Sequence, residues 1–263
     1  AFSMCSGLES VIFEPGSELE TVERGAFNNC ADNMKIYYSD SNVKNALSGK
    51  VGSEKMVECV KVTFDPNNGG KVEAKMVEKG QKAAPPADPP TRADWDFVGW
   101  YTKNADGKWA DEKFDFSKAI TDDMTLYARW TVSGKCGNNL TWILDSDGTL
   151  TISGSGEMAD YNSLDDQPWA KQRNSINKVV IGDGVKSIGG RTFANCPSLE
   201  TVELPQNGAL ETIKENAFSW LDPSSKVGAG ITEITIPASV KTIEKCAFDG
   251  CTKLATVIFA KGS

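Results

Sequence analysis

From Leu199 to Pro205 the chain alternates. Leu199, Val202 and Leu204 are apolar, while Glu200, Thr201 and Glu203 are polar. A period of two predicts a short strand with Val202 and Leu204 turned inward. Proline has no N–H to donate, so Pro205 marks where pairing stops, as do Pro15 and Pro237. A second apolar pair follows each proline at spacing i, i+3: Leu19 with Val22, Leu210 with Ile213 and Val240 with Ile243. Val185 with Ile188 fits the same spacing, and these pairs predict a second wall. Ahead of the strand stands Ala-Phe-x-x-Cys or a close variant. It appears as Ala1, Phe2, Cys5; Ala26, Phe27, Cys30; Phe193, Cys196; Ala217, Phe218, Leu221; and Ala247, Phe248, Cys251. Phe2 to Phe27 and Phe193 to Phe218 both span 25 residues, and Phe218 to Phe248 spans 30, so the last unit carries an insertion, placed at Asp222 to Gly230. Units of this length cannot bury their apolar faces alone and stack into a solenoid. The phenylalanine is expected as the large filler at a corner, with the small alanine letting the backbone pass close.

Between about residues 60 and 131 the pattern changes. Val60, Val62 and Phe64 alternate, Asp65 to Gly70 reads as a turn, and Val72, Ala74 and Met76 alternate again, which predicts a hairpin. Pro85 to Pro90 predicts an extended surface segment. The aromatic run Trp95, Phe97, Trp100, Tyr101, Trp109, Phe114 and Phe116 leads to a closing strand, Thr125 to Trp130. Large aromatics are what a domain of this size needs for a core, and that reading is preferred to a sugar-stacking platform. A second hairpin follows, from Leu140 to Ile152 across Asp145-Ser146-Asp147-Gly148, and is read as a cap on the repeat array. Asp145 and Asp147 lack the later bidentate glutamate of a calcium loop. Gly154-Ser155-Gly156 lacks the lysine of a phosphate loop.

Composition narrows the chemistry. The 263 residues carry a formal net charge of −8 and no histidine. The acidic balance, without a basic cluster, disfavours nucleic acid. Lack of histidine removes the Ser-His-Asp and Cys-His systems and imidazole metal ligands. No cofactor or metal site is expected. Paired carboxylates could still hydrolyse a glycosidic bond, but the repeat acids fall on outward strand positions. No apolar run is long enough to span a membrane. Of seven cysteines, four share one repeat slot, and Leu221 fills that slot elsewhere, so the slot is predicted to pack. Cys59, Cys136 and Cys246 are scattered and no C-x-x-C pair exists, so free thiols are expected, with one bridge left open for an extracellular chain.

The units resemble the BspA-like leucine-rich repeat family, with its Ala-Phe-x-x-Cys-x-x-Leu-x-x-Val-x-Ile-Pro pattern, over about residues 1–40 and 176–263. Residues 136–170, ending in Pro168-Trp169, look like the cap of such arrays. Val62-x-Phe64-Asp65-x-Asn67-x-Gly69-Gly70, Phe97-x-Gly99-Trp100-Tyr101 and Leu126-Tyr127-Ala128-x-Trp130 resemble the Listeria-Bacteroides repeat, or internalin B-repeat. That resemblance implies a ubiquitin-like β-grasp. Leu221 in place of cysteine, Thr192 in place of alanine and two longer units are the departures. The expected fold is mostly β with short helical turns, a leucine-rich-repeat solenoid plus a small β-grasp module. The divisions are 1–58 (repeats and array end), 59–132 (module), 133–175 (hairpin cap) and 176–263 (repeats).

Both families occur in bacterial cell-surface proteins. The resemblance therefore implies a protein that is secreted or attached to the cell wall, binding a host extracellular protein or glycoprotein without catalysis. The expected contact surface is the strand face, through Glu9, Ser10, Glu200, Thr201, Glu203, Thr232, Glu233 and Thr235. The alternatives are a structural stalk that presents another domain and, less favoured, a carbohydrate-active enzyme. Oligomeric state is left open. Val257 to Ser263 match Val11 to Ser17 in phase. The strand near Leu8 to Phe13 is accordingly expected to continue the array that begins at the Cys136 cap, or to pair with a neighbouring chain.

Overall fold

The computed structural model describes residues 1–221 and 230–261. The insertion expected from Asp222 thus lies, apart from Gly230, outside the described residues, as do Gly262 and Ser263. The chain divides into two compact units, Ala1–Ala93 with Phe97–Arg129, and Asp94–Asp96 with Trp130–Ser263. It is mostly β.

The first unit begins with β1 (Ser10–Ile12) and β2 (Lys35–Tyr38), followed by helix α1 (Ser41–Leu47) and strand β3 (Met56–Asp65). β1 pairs in parallel with β2, Val11 opposite Ile36, and β2 in turn with β3, Ile36 opposite Met56. The partner of the opening strand is therefore Lys35–Tyr38, a rung inside its own unit. Phe2 stacks on Phe27 at 5.5 Å and 11°, so the corner phenylalanines repeat here in space as in sequence. Helix α1 buries Val43, Ala46 and Leu47, and Val43 and Leu47 join Met34, Ile36 and Tyr38 in one core. Leu19 and Val22 pack on that core, but the expected second wall forms no strand there.

β3 then changes partners. Its later residues pair antiparallel with β4 (Glu73–Glu78), Val62 opposite Lys75, and in parallel with β6 (Met124–Gly137), Val62 opposite Met124, while β5 (Asp96–Tyr101) also pairs with β6. The predicted hairpin forms with its second strand starting at Glu73, since Val72 is left exposed. Phe64 meets Trp100 edge-on at 5.1 Å and Phe116 in a stack at 6.4 Å. Trp100 and Tyr101 are buried.

In the second unit β6 pairs with β7 (Leu140–Asp145), which turns into β8 (Thr149–Gly154), Leu144 opposite Leu150. Asp145 Oδ1 accepts the N–H groups of Asp147 and Thr149, so this carboxylate shapes the turn. Past β9 (Gly156–Glu157) come β10 (Lys178–Ile181), β11 (Val185–Ile188), β12 (Thr201–Glu203) and β13 (Thr212–Ile213). β14 (Glu233–Ile236), β15 (Thr242–Ile243) and β16 (Thr256–Phe259) complete the order. Three ladders hold this unit together. The first wall pairs β8, β10 and β12 in parallel, with Leu150, Val179 and Val202 in line, and then β14 with β16, Ile234 opposite Val257. The second wall runs β9, β11, β13, β15, with Ser187, Thr212 and Thr242 in line.

The third ladder is the corner. Phe193 N–H donates to Ala217 O at 2.8 Å and Phe218 N–H to Ala247 O at 2.7 Å. The rings stack above those bonds. Trp169 lies on Phe193 at 5.4 Å, Phe193 on Phe218 at 5.2 Å and Phe218 on Phe248 at 5.1 Å. The corner is shaped by left-handed residues. Gly25, Arg191, Asn216 and Cys246 stand two before the phenylalanine, and Met4, Asn29, Asn195 and Gly250 two after it, all at positive φ. Asparagine and glycine tolerate that region best.

All seven cysteines are free thiols. Their shared slot is less uniform than its sequence suggests. Cys30 and Cys196 are buried and Cys251 partly so, but Cys5 is exposed and Leu221 is 38% exposed. Trp220, two after Phe218, does not take the left-handed turn seen in the other corners, so Leu221 is not turned inward. Burial pushes the Cys136 and Cys196 thiols up to about 12.

Candidate binding surface

The first wall is interrupted between β12 and β14. The sequence pattern aligns Thr201 to Leu204 with Glu233 to Ile236, yet no ladder joins them, whereas the second wall and the corner run through these units unbroken. The unit between them is the one with the 30-residue phenylalanine spacing. In sequence, the extra length falls after the corner and before β14, the interval at which the first wall parts.

A cleft of about 490 Å³ opens at the break, lined by Glu200 to Leu204, Gln206 and Thr232 to Thr235. Its floor is apolar. Val202 keeps 8% and Leu204 6% of its surface exposed, where Val179, one rung earlier in the paired sheet, keeps none. One side chain spans the gap: Gln206 Nε2 donates to Leu204 O at 3.0 Å and to Thr235 O at 3.3 Å. Glu200, Glu203 and Glu233 are exposed. Glu203 pairs with Lys178 at 2.6 Å, while Glu200 and Glu233 have no ion-pair partner among the described residues.

Six of the eight residues expected on the contact surface therefore line one cleft: Glu200, Thr201, Glu203, Thr232, Glu233 and Thr235. Glu9 and Ser10 are exposed in the first unit, at the start of β1. The sequence reading missed Gln206 and the break itself. The five-residue excess was visible, but which of three ladders it would open was not. Gln206 had a faint signal, a primary amide directly after the strand-ending Pro205.

A second hollow, about 270 Å³, lies in the first unit between the hairpin turn and the proline-rich segment, with Phe64, Pro66, Pro86, Pro90 and Trp100 in its lining. Phe64 and Trp100 are buried there and present no open face for a sugar to stack on. Elsewhere in the module Lys103 Nζ sits 4.0 Å from the Trp109 ring centre and 4.8 Å from that of Tyr127. That contact ties the Lys103–Trp109 bridge to β6. Among the described residues no group of three or more Cys, Asp or Glu side chains is arranged to hold a metal ion. Among the described residues no helix is long and apolar enough to cross a membrane.

Short parallel strands stacked at one-unit offsets, tied by an asparagine- and glycine-turned aromatic corner, define a class of repeat protein. The sequence matches the family described as BspA type leucine rich repeat region in six copies, over residues 1–49 and 169–263. The chain belongs to that family. Residues 61–129 match a second family, the Listeria-Bacteroides repeat domain. Among solved structures, a leucine-rich repeat protein from Eubacterium ventriosum ATCC 27560 is 22% identical with a TM-score of 0.38, over 48% of this chain and 40% of that one. One from Bacteroides capillosus ATCC 29799 is 26% identical with a TM-score of 0.32, over 50% and 99%. A leucine rich cell surface protein from Faecalibacterium prausnitzii A2-165 is 18% identical with a TM-score of 0.25, over 99% and 62%. The chain thus spans less than half the length of the Eubacterium protein.

Proposed function

We propose that this protein is a non-catalytic, adhesin-like component of the bacterial cell surface, secreted or wall-attached, that binds a host protein or glycoprotein through its strand face. In this reading the repeats form a leucine-rich-repeat solenoid and residues 61–129 a small β-grasp module. The solenoid is supported by the three parallel ladders at one-unit offsets, and the module by its hairpin and the parallel pairing of β3 with β6. The observation that carries the function is the cleft where six expected contact residues converge on a broad, exposed strand face. Exposed carboxylates favour binding over catalysis, because a glycosidic general acid needs a secluded site to keep its proton near neutral pH.

The test is binding of the purified chain to immobilised host matrix proteins and mucins, repeated with Glu200→Lys, Glu203→Lys and Glu233→Lys combined. Loss of binding in the triple variant, with an unchanged melting temperature, is the expected result. Unchanged binding to every partner found would assign the contact to another face.

A further inference from the structure

The break between β12 and β14 leaves two strand edges facing each other without a ladder, and backbone groups at such edges need hydrogen-bond partners. Gln206 shows what fits between them. One flat amide donates from a single nitrogen to a carbonyl on each side, Leu204 O and Thr235 O. The gap is therefore about one planar group wide, and a whole strand does not enter it. The charged residues in its described lining are all acidic: Glu200 and Glu233 have no ion-pair partner among the described residues, and Glu203 pairs with Lys178 on the neighbouring strand. Thr201, Thr232 and Thr235 add hydroxyls.

We propose that this cleft binds an extended, arginine-bearing segment of a partner protein, with a guanidinium group seated between the two strand edges and held by the rim carboxylates. The proposal rests on the reading that the strand face binds a macromolecule, and it names the partner's chemistry. A guanidinium is planar, carries five donors in a fixed fork and is the cation that pairs two-pronged with carboxylates. An ammonium group lacks that shape and bridges two separated carbonyls and a carboxylate less well. The apolar floor at Val202 and Leu204 takes the methylene stem. Carboxylates on the rim steer the approach of a basic segment and make binding weaken with salt.

The experiment is a titration of the whole chain against a fluorescein-labelled peptide of alternating Arg and Thr, beside peptides with Lys or Glu in place of Arg. The Arg peptide is expected to bind tightest, the Lys peptide more weakly and the Glu peptide not at all. Glu200→Gln with Glu233→Gln is expected to weaken the Arg peptide roughly tenfold or more, about 1.4 kcal/mol, while Glu112→Gln, on the exposed surface of the module, leaves it unchanged. Equal binding of the Lys and Arg peptides, or equal loss in Glu112→Gln, overturns the proposal. If host proteins bind through the strand face but the Arg peptide neither binds nor competes, the proposal falls and the functional reading stands. If the peptide behaves as expected and no host protein binds, the reading falls and the cleft assignment stands.

Discussion

The indole of Trp169 lies flat on the ring of Phe193, with 5.4 Å between centroids and 8° between planes. Trp169 is the first residue of the second stretch matched to the repeat family, and it occupies the position of a corner phenylalanine one unit ahead of Phe193. It closes the aromatic column that continues through Phe218 and Phe248. It is wholly buried and also meets Trp142 of the hairpin edge-on at 5.6 Å. The β7–β8 hairpin is thereby joined to the repeats by packing as well as by the β8 to β10 ladder.

Trp169→Ala is predicted to destabilise the second unit by about 3–5 kcal/mol, the usual cost of emptying a large aromatic site. Trp169→Phe keeps the stack and is predicted to cost less than half as much. Urea unfolding followed by circular dichroism measures both. Equal losses would mean that the column contributes nothing beyond volume.

Cys246 holds a left-handed backbone at φ 57, in the corner position that glycine fills at Gly25. A residue with a Cβ pays roughly 1–2 kcal/mol there, so Cys246→Gly is predicted to raise the midpoint of unfolding. Gly250 is the opposite case. Its φ is +73, and an added Cβ would lie 2.7 Å from Trp220 Cβ and 2.9 Å from Trp220 O. Gly250→Ala is predicted to cost about 2 kcal/mol or more. A stable Gly250→Ala variant would contradict the corner geometry.

Thiol chemistry should separate the cysteines by place. Cys5 is exposed and is predicted to react first with iodoacetamide at mildly alkaline pH. Cys136 and Cys196, both pushed up to about 12 by burial, are predicted to stay unmodified until the chain unfolds. Mass spectrometry of digested, timed samples reads the order.

Asp160 links units across the second wall. Burial raises its carboxyl pKa, but the Gly190 N–H at 2.8 Å and Lys214 Nζ at 3.1 Å outweigh that and hold it below the usual range. A depressed carboxylate stabilises the fold above its unfolded pKa, about 3.9, and that contribution is lost as the pH falls through the folded value. Asp160→Asn is predicted to be less stable near neutrality and to lose less on acidification. Parallel unfolding curves for both proteins across that range would rule this ion pair out as a contributor.

Much of the architecture could be read from local pattern. Period-two apolar residues fixed where Val202 and Leu204 point, and the prolines marked strand ends, because both follow from backbone geometry that each segment carries by itself. The hairpins at Asp65 to Gly70 and Asp145 to Gly148 were legible from their turn residues for the same reason. The burial of Cys196 and the exposure of Cys5 and Leu221, in one sequence slot, were not, since burial depends on tertiary packing around the slot and not on the residue that fills it.

The candidate surface divides along the same line. The sequence by itself determined that Thr201, Glu203, Glu233 and Thr235 lie on outward strand positions, because alternation sets the face, whereas Glu200 and Thr232 directly precede their strands. Only the tertiary structure decided that they border one cleft. A longer unit can keep its corner and second wall in register while its first wall parts, and hydrogen bonds between units far apart in sequence settle which ladder yields. In this protein the corner stack from Trp169 to Phe248 and the β13 to β15 pairing hold, so the opening falls between β12 and β14.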